Sequence, residues 1–130
     1  MKKPDIQVYS KGGSVIKENI KVLIVSYDLA WRMKEQLEQY KVVIVDEAHY
    51  LKNSGNKRSD ILTPFLSSRK RIILLTGTPA LARPREIFNL ISIVRPDIFL
   101  NFKEFGHRYC EPTINPWSRA VEYNGCQNPK

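Results

Sequence analysis

Three apolar tetrads, VLIV (Val22–Val25), VVIV (Val42–Val45) and IILL (residues 72–75), each end abruptly on polar or turn-forming residues. They are continuous rather than alternating. Alternation marks a strand wet on one face, whereas unbroken Val, Ile and Leu suits a strand covered on both, as in a parallel sheet. A fourth run, Ile6–Tyr9, completes the set. Parallel strands need long crossovers, and helical spacing fills the gaps. Leu29, Met33, Leu37 and Tyr40 recur at steps of four and three, with Ser26 or Asp28 placed to cap that helix. Ile61, Leu62, Phe65 and Leu66 form a second helical face. Ile87, Leu90, Ile91 and Val94 form a third, with Pro84 suited to its first turn. Asn101 with Glu104 predicts a capping-box-like start for a short fourth helix. Alternating strand and helix predicts an α/β fold with right-handed crossovers. After Glu111 the pattern fades into prolines and asparagines, which reads as an irregular extension over residues 111–130.

A length of 130 residues allows one domain or part of one. No apolar run approaches the roughly 20 residues of a membrane span, and MKKPDIQVYSKGG lacks the apolar stretch of a secretory signal. No membrane partner is expected. Two cysteines make no disulfide framework, so no disulfide partner is expected either. The 21 Lys and Arg outnumber the 13 Asp and Glu, and a charge of +8 suits an acidic partner such as nucleic acid.

The chemistry gathers where strands end. The tetrad VVIV runs directly into Asp46, Glu47, Ala48 and His49. The carboxyl end of a parallel strand is where α/β sheets hold ligands. A carboxylate there can hold the water shell of Mg²⁺. A second carboxylate beside it can orient water for attack on a γ-phosphate. About thirty residues further on, IILL runs into Thr76, Gly77, Thr78, Pro79 and Ala80. Two hydroxyls flanking a turn-forming glycine would come to lie beside His49 if these strands are neighbours. Ser26, Tyr27 and Asp28 follow VLIV. They read first as a helix cap with a packed tyrosine, and second as a loop touching a nucleic-acid backbone.

VVIVDEAHYLKN (residues 42–53) and ILLTGTPA (residues 73–80) resemble motifs II and III of the Swi/Snf-related ATPases in helicase superfamily two. The LKN extension, and TGTP in place of SAT, are similar to this family rather than to the DEAH-box RNA helicases. VLIVSYD (residues 22–28) resembles the family's element upstream of motif II. RPREIFNLISIVRPDIF (residues 83–99), with Phe105, His107, Arg108, Tyr109 and Cys110, resembles the annealing-helicase, HARP-like branch.

The resemblance implies a partial RecA-like lobe of the P-loop NTPase type, with a mainly parallel sheet in three layers. Residues 1–110 would be the C-terminal part of the first lobe. It implies an ATP-dependent translocase acting on double-stranded or forked DNA, with ATP and Mg²⁺ as cofactors, a second RecA-like lobe as partner, and a nuclear location. Asp46 would hold the Mg²⁺ through water, and Glu47 would polarise the attacking water. His49, Thr76, Gly77 and Thr78 would couple nucleotide state to DNA. Ser26 and Tyr27 would approach the DNA backbone.

One part is missing. No GxxxxGK[ST] phosphate loop occurs in the 130 residues, and Lys11–Gly12–Gly13–Ser14 reads as a turn. The isolated chain is therefore expected neither to bind ATP tightly nor to hydrolyse it. The alternative is a non-catalytic truncated product that binds DNA or protein. A metal centre of His107, Cys110 and Cys126 fits no structural zinc spacing. Trp31 and Trp117 fill core or interface space, or stack on bases.

Overall fold

The structure, a computed structural model of the chain, describes residues 5–52, 55–77 and 84–126. It divides into two compact units, Met1–Tyr40 and Lys41–Lys130. Among the described residues no helix is long and apolar enough to cross a membrane.

In the first unit, strand β1 (Ile6–Tyr9) pairs in parallel with β2 (Val22–Val25), Ile6 opposite Val22 and Tyr9 opposite Val25. The crossover is not helical. It turns at Gly13, whose φ of 86° is open to glycine without strain. The Gln7 side chain then stitches it to the strand, accepting from Lys17 N and donating to Val15 O, both at 2.9 Å.

Two single-turn helices follow, α1 (Tyr27–Ala30) and α2 (Lys34–Leu37). The sequence predicts one helix here. Met33, at φ −112° and ψ 23°, leaves the helical region and breaks it. Met33 and Leu37 are nonetheless both buried. The apolar spacing thus records which side chains share a face, and two linked turns satisfy it as one helix would. Ser26 holds the N-cap position in extended backbone but makes no side-chain capping bond.

In the second unit β3 (Val42–Val45) pairs in parallel with β4 (Arg71–Leu74), Val42 opposite Arg71 and Val45 opposite Leu74. Between them run a 3-10 turn (Ala48–Leu51) and helix α3 (Lys57–Ser67). Asn56 caps α3 by accepting from Arg58 N at 3.1 Å. Ser59, Leu62, Phe65 and Leu66 are its buried residues, so Ser59 takes an inward place and Ile61 is only half-buried.

Pro84 opens a second 3-10 turn (Pro84–Glu86) rather than a helix, and α4 (Phe88–Val94) starts after it. Leu90 and Ile93 carry the burial of α4, while Val94 is exposed. Helix α3 packs on α4, and α4 on β4.

Continuous apolar strands were expected to be covered on both faces. Here the side chains alternate: Val45 is buried, whereas Val42 is 51% and Ile44 63% exposed. Successive strand residues point to opposite faces, and among the described residues of this unit only one face of β3 is covered. The sheet is also not continuous among the described residues. The strands form three two-stranded sheets, and the third is antiparallel.

Helix α5 (Phe102–Tyr109) begins as its Asn101–Glu104 pair predicts: Asn101 Oδ1 accepts from Glu104 N at 3.1 Å. The returning bond lands one residue earlier, on Leu100 N, at 3.2 Å from Glu104 Oε2. Phe88, Phe99, Phe102, Phe105 and Tyr109 stack around α5 edge-on or tilted. Beyond it, where the composition suggests irregular chain, β5 (Thr113–Ile114) and β6 (Val121–Glu122) form a short hairpin.

Candidate functional site

Strands β3 and β4 are in register, so their carboxyl ends arrive together. The ladder runs one step past β4, with Leu75 N donating to Val45 O at 2.8 Å. Ala48 N then donates to Leu75 O at 2.8 Å. This bond draws the segment after β3 onto the end of β4. The reversal needed to make it falls on Glu47, which sits in the left-handed region at φ 50°, ψ 48°. A non-glycine residue there is strained by roughly 1–2 kcal/mol. Ala48 and Leu51 are fully buried and anchor the turn.

The turn places three of the sequence-derived residues around one nitrogen. His49 Nδ1 is 3.2 Å from Thr76 Oγ1 and 3.2 Å from Glu47 Oε2. The Glu47 side chain is 57% exposed, open to a ligand from solvent. Asp46 Oδ1 accepts from Glu47 N at 2.9 Å, which orients that carboxylate. Tyr50 lies against the His49 ring, centroids 4.6 Å apart.

Gly77 is exposed at a bend outside the left-handed region, and a Cβ there would meet nothing within 4 Å among the described residues. The residues that would complete the turn inferred from the sequence lie outside the described ones. Thr78 lies outside the described residues. Ser26 and Tyr27 belong to the other unit, at the start of α1.

Sequence reasoning missed the residues that hold this turn from behind. Lys52 Nζ is 3.0 Å from Glu86 Oε2, a pair with both side chains about four-fifths buried. Asn89 Nδ2 donates to Leu51 O at 3.3 Å and to Lys52 O at 3.1 Å. The 3-10 turn is thus gripped at its front by β4 and at its rear by the segment leading into α4. Lys52 was visible only as part of the LKN extension. Glu86 and Asn89, 34 and 37 residues away from Lys52, were likewise visible only as part of the run over residues 83–99.

Among the described residues no group of three His, Cys, Asp or Glu is placed to hold a metal ion. Cys110 is buried, Cys126 is exposed, and His107 Nε2 meets the Tyr123 hydroxyl at 3.2 Å. Burial pushes the Cys110 thiol pKa up.

A protein-family model described as SNF2-related domain matches residues 8–126. The chain belongs to that family. Its similar relatives include the SWI/SNF-related matrix-associated actin-dependent regulator of chromatin subfamily A-like protein 1 of Xenopus laevis. The two are 43% identical over 106 residues, covering 81% of this chain and 11% of the relative. The DNA annealing helicase and endonuclease ZRANB3 of Bos taurus is 40% identical over 110 residues, covering 80% of this chain and 10% of that protein. The chain thus spans about a tenth of the length of these relatives. The Sulfolobus solfataricus SWI2/SNF2 ATPase core in complex with dsDNA shares its fold, with a TM-score of 0.65 and 23% identity. That match covers 81% of this chain and 22% of the other. The α/β architecture with short parallel sheets is therefore that of part of an SNF2 ATPase core.

Proposed function

We propose that this SNF2-related chain is the part of a first RecA-like lobe that supplies the hydrolytic carboxylates and their sensor in an ATP-dependent DNA translocase of the annealing-helicase type. The observation that carries the reading is the convergence of Glu47, His49 and Thr76 at the carboxyl ends of two hydrogen-bonded parallel strands. The relatives named as chromatin regulators and annealing helicases support it, and suggest a nuclear site of action. The excess of positive charge suits duplex or forked DNA as partner.

The donor set fits Mg²⁺ delivered with ATP. Such a metal keeps several waters and needs only one or two carboxylates beside the phosphates, and Asp46 and Glu47 provide that pair. Bound there, MgATP would supply the phosphoryl group and neutralise its developing charge. Asp46, its Oδ1 turned by the Glu47 N–H, would face the metal's water shell. Glu47, its side chain 57% exposed, would accept a proton from water.

His49 links this end to β4. In the tautomer protonated on Nδ1, the single N–H there can serve only one of its two acceptors at a time. Where it serves the Glu47 carboxylate it leaves Thr76. When Glu47 turns to the attacking water, the N–H serves Thr76. That exchange would report the nucleotide state to the segment after β4, where Gly77 and Thr78 lie, and onward to a second lobe. Ser26 and Tyr27 would contact the DNA backbone.

The test is a graft. The matching segment of the Xenopus laevis relative is replaced by this chain, and DNA-stimulated phosphate release is measured. We expect turnover in the graft, and its loss with nucleotide binding retained when Glu47→Gln is introduced. Equal kcat with and without Glu47→Gln would refute the assignment. The second reading, a non-catalytic module that binds DNA or protein, rests on the lack of GxxxxGK[ST] in the 130 residues. Mg²⁺-dependent phosphate release by the isolated chain would exclude it.

A further inference from the structure

We propose that the tip of the β5–β6 hairpin, residues 115–120, is a contact site for single-stranded nucleic acid, with Trp117 stacking on an unpaired base and Arg119 meeting the phosphates. Trp117 is the most exposed large apolar side chain among the described residues, at 94%. Among the described residues it therefore fills no core. Trp31, by contrast, is partly covered, with the Arg32 guanidinium 5.1 Å above its ring.

The backbone beneath Trp117 is held rigidly. Asn115 N donates to Ala120 O, and Arg119 N to Asn115 O, both at 2.9 Å. Asn115 Oδ1 accepts from Trp117 N at 2.9 Å and from Ser118 N at 3.1 Å. Ser118 Oγ accepts from Ala120 N at 3.3 Å. Pro116 has no N–H, so every N–H of the tip is satisfied within it. At the base, the Tyr123 ring lies so close to Gly106 that a Cβ there would come within 2.6 Å of it.

Two consequences follow. An indole held in water on an ordered support loses the stabilisation of burial and gains preorganisation for a ligand. A tip with no spare backbone N–H must recognise that ligand through side chains, here a flat aromatic face and an exposed guanidinium. Glu122, three residues further along the chain, accepts from Asn115 Nδ2 at 2.6 Å and from Asn124 Nδ2 at 3.0 Å. Aromatic face plus cation, on a chain of net charge +8, is complementary to single-stranded nucleic acid. Every base has a stackable face, which a single strand exposes and a duplex interior hides. This inference uses no residue of the nucleotide site and stands apart from it.

The test uses the chain as it is. Labelled dT and rU oligomers of about a dozen nucleotides, a length within the range such surfaces span, are titrated by anisotropy, with a blunt duplex as comparison. We expect the single strands to bind, and any binding of the duplex to be unchanged by substitution at the tip. Trp117→Ala should lower single-strand affinity roughly tenfold, as loss of one stacked base does, and Trp117→Phe should restore most of it. In a Trp31→Phe chain the emission of Trp117 should be quenched saturably by the same oligomers. Binding of dT alone or rU alone would identify the ligand as DNA or RNA and support the site. Unchanged single-strand affinity in Trp117→Ala, an equal loss of duplex affinity in that variant, or no quenching would overturn it and leave a protein surface as the occupant.

Discussion

His49 Nδ1 stands 3.2 Å from Thr76 Oγ1, across 27 residues of sequence, and joins the acidic end of β3 to the end of β4. A histidine so placed is sensitive to what its neighbours do. Replacing Thr76 by Val keeps the shape and removes the hydroxyl. We expect a stability loss of about 1 kcal/mol, the usual worth of one such bond, and a shifted His49 Nδ1 signal by 15N NMR. An unmoved signal would mean that the contact is not formed in solution.

The left-handed conformation of Glu47 gives a test on the backbone itself. Glu47→Gly and Glu47→Ala both delete the carboxylate, but only glycine relieves the strain. We expect the glycine variant to be the more stable of the two by up to about 1 kcal/mol, the αL penalty less glycine's entropic cost. Urea denaturation midpoints at equal m-value compare them.

The buried pair Lys52–Glu86 should behave asymmetrically. Glu86→Met alone strands a mostly buried ammonium, and should cost more than the double variant Lys52→Met with Glu86→Met. Breaking one side of a fully buried pair costs about 3–5 kcal/mol, and the residual exposure here brings the expectation down to about 2. A double-mutant cycle by chemical denaturation measures it.

Two glycines should respond oppositely to alanine. At Gly106 the new Cβ would press into the Tyr123 ring at 2.6 Å, so Gly106→Ala should destabilise by about 1–3 kcal/mol, as overpacking does. At Gly77 nothing lies within 4 Å among the described residues, so Gly77→Ala should leave the melting temperature nearly unchanged. Loss of turnover by Gly77→Ala in the grafted ATPase, without loss of stability, would mean that a ligand approaches the backbone there.

On the surface, the hydrogen bond from Arg95 lowers the Asp97 carboxyl from 3.8 to about 2. A lowered acid contributes stability that is fully present above the ordinary value and fades as pH falls through about 2. Both groups are exposed, so the effect on unfolding is small. The sharper readout is the carboxyl titration by 13C NMR, which Arg95→Ala should return towards 3.8.

Much of this was readable in one dimension. The tetrads Val22–Val25 and Val42–Val45 are strands as read, and the last tetrad is shifted by one residue to Arg71–Leu74. Runs of β-branched residues, caps such as Asn101 and the adjacency of Asp46, Glu47 and His49 are local signals, carried by a few neighbouring side chains. The family followed from two short motifs for the same reason.

What was not legible depends on groups far apart in the chain. Which residue reverses direction after β3 follows from the Ala48–Leu75 bond, which assigns the strain to Glu47. That Glu86 and Asn89 grip the turn follows from the placement of α4. The division of the Leu29–Tyr40 pattern into two turns lies in the backbone of Met33, which leaves the helical region. The 115–120 tip holds its order through one asparagine. Hydrophobic period and capping report energies within a few residues. Pairing register, ion-pair partners and exposure arise only when distant segments meet, and no spacing rule encodes those distances.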